Sequence, residues 1–441
     1  MATRSLAFGL TRPAALVTEA IFRPLHAIVV APSVLFIVAM GLMLFHPPDI
    51  HFIFDRVALA LLIFAMFLRV CALRQPVYLY LPVTLPLLAL VMLAFIGAAV
   101  QPNDAETWSL FAAKWFVPFV LFHLAALVFQ DRKSLRNFEL FSLVVLVYLC
   151  FIAIFFMIGR TEFVFPRYIL DEGLGYHADR ARGPFLQAVA NGVTLNLLGV
   201  IAFDSYRRRR LRGLLAAVVL VALPVAVIAT KTRAVWLSFG GTILVLMIFS
   251  GNVRVRRTCF AITTIGLAGL AVALFFASQH ASSLEERFGE RSPVDFRMAV
   301  YEAGADMFLE KPWLGWDSAG MQAELARRVS GFHQKDFYFH NTYLEVVVRY
   351  GLLGLAFYLW LMVGLFRVGR RGACPTVPRG TGFLDADFRS IWPLFLGIYF
   401  VNGALVVMNY QFVNGLIFTI AGMLLGQNRR QAQLRSAPFG Q

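Results

Sequence analysis

Long apolar runs separated by shorter, mostly basic stretches recur along nearly the whole chain. They cover residues 25–45, 57–73, 77–99, 110–129, 138–158, 186–203, 212–229, 235–250, 258–277, 341–366, 391–407 and 410–426. At 1.5 Å of rise per residue, runs of about 20 residues cross the roughly 30 Å of bilayer hydrocarbon. The pattern predicts an all-α polytopic membrane protein with about twelve transmembrane helices. Asn402, Asn409 and Gln411 interrupt the last two runs, and a very tight turn at Lys231 joins the seventh and eighth.

Two polar stretches are long, residues 159–185 and 278–339. In the second, Ser292-Pro293-Val294-Asp295 reads as an N-cap, a proline at the first helical position and an acidic residue in the first turn. The helix this predicts carries Phe296, Val300, Ala303 and Met307 on one face and ends at Pro312 and Gly315. A second short helix is expected over Ser318 to Val329. Both carry too many charges to span, so they are expected at the membrane surface. The organisation is then nine spans in residues 1–277, a loop with interfacial helices in 278–340, and three spans with a tail in 341–441. No inverted repeat of the transporter kind is apparent.

Composition agrees with this class. The chain is 59% hydrophobic, only 15% charged, and has a mean hydropathy of +0.71. A net charge of +15 points to nucleic acid in a soluble protein, but beside apolar runs it reflects orientation and anionic membrane lipid. With residues 1–24 on the cytoplasmic side, the clusters Arg69 and Arg74, Arg132 to Arg136, Arg207 to Arg212, Arg254 to Arg257, Arg367 to Arg389 and Arg429 to Arg435 share that side. They bring it 24 Lys/Arg against 6 Asp/Glu, leaving 16 against 19 elsewhere. Both termini are therefore expected inside, and both long loops outside. Arg4, Arg12 and Arg23 precede a first run without a recognisable cleavage site, so that run is read as a retained span. Cys71, Cys150 and Cys259 fall in or beside apolar runs and Cys374 in a basic loop, a pattern without a disulfide or metal framework.

The cations expected outside are the informative ones, because they run against the usual bias: Arg160, Arg167, Arg180, Arg182, Lys231, Arg233, Arg291, Arg297, Lys311 and Arg349. Lys231-Thr232-Arg233 is confined to a hairpin between two apolar runs, and Arg182 directly precedes the sixth. Guanidinium groups at an interface suit a lipid-linked phosphate or diphosphate, which they bind in bidentate fashion. The alternative is that each snorkels to lipid head groups or pairs with Asp171, Glu172, Asp179 or Asp295. His340 stands where the second long loop re-enters the membrane, with Tyr343 and Glu345 expected close by. It is a candidate general base or a hydrogen-bonded surface histidine. His177 is a weaker candidate. Asp385-Ala386-Asp387 resembles the acidic pair that holds a divalent cation in nucleotide-sugar transferases, but it falls inside and reads as a solvated loop. No zinc-protease, nucleotide or dinucleotide motif occurs.

Several segments together carry a resemblance. They are Arg182-Gly183-Pro184, Thr230-Lys231-Thr232-Arg233-Ala234-Val235-Trp236, Arg297 leading to Glu310-Lys311-Pro312-Trp313-Leu314-Gly315-Trp316, and His340-Asn341-Thr342-Tyr343-Leu344-Glu345 followed by Tyr350-Gly351-Leu352-Leu353-Gly354. In order and spacing they resemble the O-antigen ligase and polymerase superfamily over residues 180–360. Trp316 departs from the small residue usual at its position.

The resemblance implies a GT-C-like glycosyltransferase. Such an enzyme moves a polysaccharide from undecaprenyl diphosphate to the lipid A core oligosaccharide on the periplasmic face of the bacterial inner membrane. It places Arg182, Arg233 and Arg297 on the basic motif positions and His340 on the motif histidine; Arg160 and Lys231 join them by position. The implied chemistry is an inverting, metal-independent displacement with His340 as base, no cofactor, and arginines on the leaving diphosphate. The alternatives are a polymerase with a second lipid-linked glycan as acceptor, a protein glycosyltransferase, and a lipid-linked glycan transporter. Transport calls for ionisable groups deep in the spans, whereas these gather at one interface.

Overall fold

A computed structural model describes residues 32–46, 53–72, 79–278, 292–316, 318–329, 338–370 and 382–436. Arg4, Arg12, Arg23, Arg291 and Cys374 lie outside them. The described chain is all helical: α1 (Pro32–Met43), α2 (Phe54–Ala72), α3 (Leu81–Ala99), α4 (Ala105–Phe111), a π-helical turn (Ala112–Phe116), α5 (Val117–Val128), α6 (Arg132–Met157), α7 (Ala188–Arg207), α8 (Gly213–Ala229), α9 (Arg233–Phe249), α10 (Val253–Ser278), α11 (Ser292–Glu310), α12 (Ser318–Arg328), α13 (Thr342–Arg370), α14 (Ala386–Gly403) and α15 (Gln411–Ser436). Within the described residues, each predicted apolar run falls mostly on helix.

Among the described residues, five helices can cross a membrane by length and composition: Leu81–Ala99, Ala105–Val128, Arg132–Met157, Ala188–Arg207 and Thr342–Arg370; α1, α8 and α9 are apolar but shorter. Leu214, Val218, Val221, Leu237 and Leu244 on α8 and α9 are exposed. Apolar surface this continuous needs lipid rather than water around it. The protein is thus an all-helical polytopic membrane protein. Its central helix is α7, whose apolar stretch is 94% buried. Facing protein on every side, α7 can be less apolar than a lipid-facing helix, and Asn191, Thr194 and Asn196 are buried in it. Gly192 and Gly199 let α7 approach Val235 and Leu223, where added methyl groups would meet side-chain carbons at 2.4 and 2.7 Å. α15 packs on α5 in the same way, since a Cβ on Gly422 would lie 2.2 Å from the Phe122 carbonyl. Small residues let backbones pack closely where apolar solvent offers no hydrophobic drive.

At the opposite end of α7 from the Arg182 segment, polar side chains tie the bundle together. Arg207 bonds Asp204, Asp385 and Asp387 at 2.6–2.7 Å, and Arg208 bonds Glu139 and Asp204 at 2.6 and 2.8 Å. Asp385 is 3% exposed and also caps α14 by accepting from the Phe388 N–H. Asp385-Ala386-Asp387 is therefore not a solvated loop but an ion-paired helix start. The sequence hid this because the partner arginine is 178 residues away.

α11 and α12 form a small core of their own, with Phe296, Val300, Ala303, Met307, Met321 and Leu325 packed beside Phe339 and Val348. This is the predicted apolar face. The turn after α11 locks onto α13, where Leu352 N–H donates to the Pro312 carbonyl at 2.8 Å and Trp316 N–H to that of Val348 at 2.9 Å. The Trp316 indole closes back on the Met307 carbonyl at 2.8 Å, under the Lys311 ammonium. Docking is possible because α13 breaks at Gly351 (φ 64°, ψ −163°), where a Cβ would sit 2.2 Å from the Trp313 carbonyl oxygen. Only glycine adopts that conformation without strain. Gly351→Ala is expected to lower stability by about 3 kcal/mol, read as a fall in detergent melting temperature. An unchanged melting temperature would disprove the interlock.

Candidate functional site

The residues singled out in the sequence lie on three elements at one end of the bundle. The first is the segment 159–187, which Arg182 folds from within. Arg182 is fully buried; its Nε donates to the Ile169 carbonyl at 3.0 Å and its two terminal nitrogens to the carbonyls of Leu174 and Asp171. Gly183 follows at φ 58°, and a Cβ there would lie 2.8 Å from Asn191. Asn191 in turn donates to the Ala181 carbonyl at 2.8 Å. The Arg182-Gly183-Pro184 motif is thus an anchor of the loop. Arg182 does not present its guanidinium at a surface, which speaks against the expected contact with a diphosphate.

The second element is the turn between α8 and α9. Lys231 takes a left-handed conformation (φ 47°), Thr232 Oγ1 donates to the Thr230 carbonyl at 2.9 Å, and the Trp236 indole reaches back to Val227 at 3.0 Å. The turn is pinned to the first element: Ala181 N–H donates to the Ala229 carbonyl at 3.1 Å and Lys231 Nζ to that of Asp179 at 2.8 Å. Arg233 is exposed at the first position of α9. There its charge adds to the positive end of the helix dipole, which suits an anion.

The third element joins α11 to the start of α13. Arg297 is exposed on α11. In the His340 motif nearly every other side chain holds the helix start in place. Asn341 accepts from the Tyr343 and Leu344 N–H groups at 2.9 and 3.1 Å. Thr342 Oγ1 donates to the Val406 carbonyl and accepts from Met408 N–H. Tyr343 donates to the Phe400 carbonyl at 3.1 Å, and Glu345 is ion-paired with Lys114 at 2.5 Å. The expected company of Tyr343 and Glu345 around His340 does not form, because both point into the bundle.

His340 has φ 49°, a strained value for a non-glycine residue, and its ring meets Phe296 edge-on at 6.0 Å. Burial first, then Arg297 and, after it, His177 push its pKa down to about 4. The imidazole is therefore neutral and able to accept a proton. His177, also at positive φ, is held below the usual histidine range by burial and by Arg180, against the opposite pull of Asp179. The structure thus brings His340, Arg297 and His177 together, with Arg180, Asp179 and Lys231 linked to His177 along the first loop. Arg160 sits elsewhere on that loop, 69% exposed and 3.5 Å from Glu162, a pair worth little in solvent.

One buried group escaped the sequence reading: Lys114 with Glu345 and Arg349. A lone lysine inside the apolar run 110–129 was the available signal, since a buried charge in a membrane helix calls for a partner.

No curated protein matches the chain. Residues 216–359 match the family model described as O-antigen ligase. The matched stretch runs from α8 into α13 and contains Lys231, Arg233, Arg297, His340 and Arg349, whereas Arg160 and Arg182 precede it. Over this stretch the chain is similar to the O-antigen ligase family, a likeness that supports a ligase- or polymerase-type, glycosyltransferase-like function in lipopolysaccharide biosynthesis.

Proposed function

We propose that the protein is an O-antigen ligase of GT-C-like, twelve-span architecture in the bacterial inner membrane. Its termini are cytoplasmic and its site faces the periplasm. It transfers a polysaccharide from undecaprenyl diphosphate to the lipid A core oligosaccharide. The observation that carries this reading is a half-buried histidine, packed against Phe296 and within electrostatic reach of an exposed arginine, inside the segment that matches the family.

In this reading Arg233, Arg297 and Lys231 hold the diphosphate, and Arg160 meets it from the rim of the first loop. His340 accepts the proton of the acceptor hydroxyl as its oxygen attacks the anomeric carbon. The bond from that carbon to the diphosphate oxygen breaks, the electron pair leaves with the diphosphate, and the anomeric configuration inverts. The arginines offset charge that grows on the leaving group. A bound diphosphate also counters the charge of Arg297, one of the causes of the low pKa of His340, and so makes the base stronger once the donor is seated.

The test is transfer of glycan by purified protein in detergent. Arg233→Ala is expected to lower kcat/KM for the donor on the order of 10²-fold. Chelation is expected to leave the rate unchanged; loss of activity restored by magnesium would overturn the metal-independent step. A product consisting of full-length glycan on the core oligosaccharide identifies a ligase, and lengthening of a lipid-linked glycan identifies a polymerase.

A further inference from the structure

The group around Lys114 has no part in the transfer just described. Lys114 lies in the π-helical turn, a rare helical form often found at functional sites. Its ammonium donates to one Glu345 oxygen at 2.5 Å, with both side chains at most 5% exposed, and Arg349 lies 3.6 Å from the other oxygen. Trp115 donates to the Tyr350 hydroxyl at 3.3 Å. Glu345 and Arg349 form one wall of a small cleft, with Gln322, Tyr338, Phe339 and Asn409 also lining it. Tyr338 and Phe339 are the two residues before His340, so the cleft adjoins the base.

Two lining residues keep a buried polar atom with no hydrogen-bond partner: Arg349 Nε and Asn409 Oδ1. Arg349 is only 8% exposed. A buried donor and a buried acceptor left unpaired are each costly. The free volume is about 10 Å³, close to what one water-sized oxygen needs. The group that answers both atoms must donate and accept at once and be that small. A phosphate or carboxylate only accepts, so it leaves the Asn409 oxygen unanswered. An ammonium only donates. A hydroxyl does both, as a single water does.

We infer that this cleft is a carbohydrate subsite that receives a hydroxyl of the acceptor glycan, with Arg349 donating to it and Asn409 accepting from it. The inference rests on the reading of His340 as the base for transfer to a glycan. It separates the two substrates, with the anionic donor on Arg233 and Arg297 and the uncharged face of the acceptor sugar on Arg349 and Asn409. Lys114 and Glu345 are positioning residues that fix the guanidinium.

The test uses the full chain in detergent, a lipid-linked glycan donor and a delipidated, phosphate-free core oligosaccharide as acceptor. Asn409→Leu is expected to raise the acceptor KM roughly ten-fold and leave the donor KM unmoved. Asn409→Asp, which keeps an accepting oxygen, is expected to recover most of the loss. Direct titration of the same oligosaccharide without donor is expected to show binding to wild type and weaker binding to Asn409→Leu, at equal melting temperatures. Should Asn409→Leu fail to fold, Arg349→Lys, which retains the charge beside Glu345 but lacks Nε, is expected to give the same rise. An unchanged acceptor KM, the result if the cleft holds an ordered water only, overturns the subsite; so does a change in donor KM alone. Binding that responds to Asn409 without any transfer by wild type would sink the transfer reading and leave the subsite standing.

Discussion

Replacing His340 by alanine is expected to lower glycan transfer by about 10²–10⁴-fold, the usual contribution of a positioned general base, while the helices stay in place. The fold tolerates the change because Asn341 and Thr342, not His340, cap and dock α13. The left-handed backbone at His340 adds a second expectation. His340→Gly should be as inactive as His340→Ala yet more stable by up to about 1 kcal/mol, since glycine adopts positive φ without strain. Full activity in either variant would remove His340 from the mechanism.

The pH dependence follows from the same residue. With its pKa held near 4, His340 is neutral and competent throughout the neutral range, and transfer is expected to fall only as pH drops through about 4 in the free enzyme. A depressed histidine pKa also means that the unfolded chain binds this proton first. This residue's contribution to folding stability is therefore lost as pH falls from about 6.5 towards 4. A pH–rate profile of kcat/KM with its acidic limb near 6.5 would contradict the burial and the charge of Arg297 at the site.

Arg182→Ala is expected to have the largest effect on stability, about 3–5 kcal/mol, as when one partner of a buried charged group is removed. Three of its nitrogens satisfy the carbonyls of Ile169, Leu174 and Asp171 from a fully buried position. Alanine would leave a cavity and strip those carbonyls of this donor. Lysine does not rescue, because one ammonium cannot reproduce the fan of donors that a planar guanidinium presents. The loop would loosen together with the Lys231 turn it is pinned to, and activity would fall with the melting temperature. A protein of normal stability that had lost only donor affinity would return Arg182 to the diphosphate site.

Much of this molecule is legible in one dimension. Within the described residues the long apolar runs are helical, since a chain in lipid must satisfy its backbone internally and a helix does so within the run itself. The bounds of α11 were legible for a similar reason, because a helix start and the breakers Pro312 and Gly315 act on their own neighbours. So was the face of Phe296, Val300, Ala303 and Met307, which is a matter of helical period. Arg297 and His340 could each be singled out by motif, and both fall within the segment that matches the family.

What only the tertiary structure decided concerns where a side chain's partner comes from. Arg182 and Arg233 look alike in sequence, each an arginine beside an apolar run. One is enclosed by a loop that folds around its guanidinium, the other stands exposed at a helix start. Glu345 appeared to belong to His340, five residues away, but faces Lys114 from 231 residues away. Gly351 breaks a helix that its own sequence would continue, because the Trp313 turn needs the space. The sequence by itself determined the helices, their orientation-bearing charges and the motif residues, all properties of local spacing. Tertiary packing decided which charges are enclosed and which are exposed, since burial and pairing depend on elements far apart in the chain.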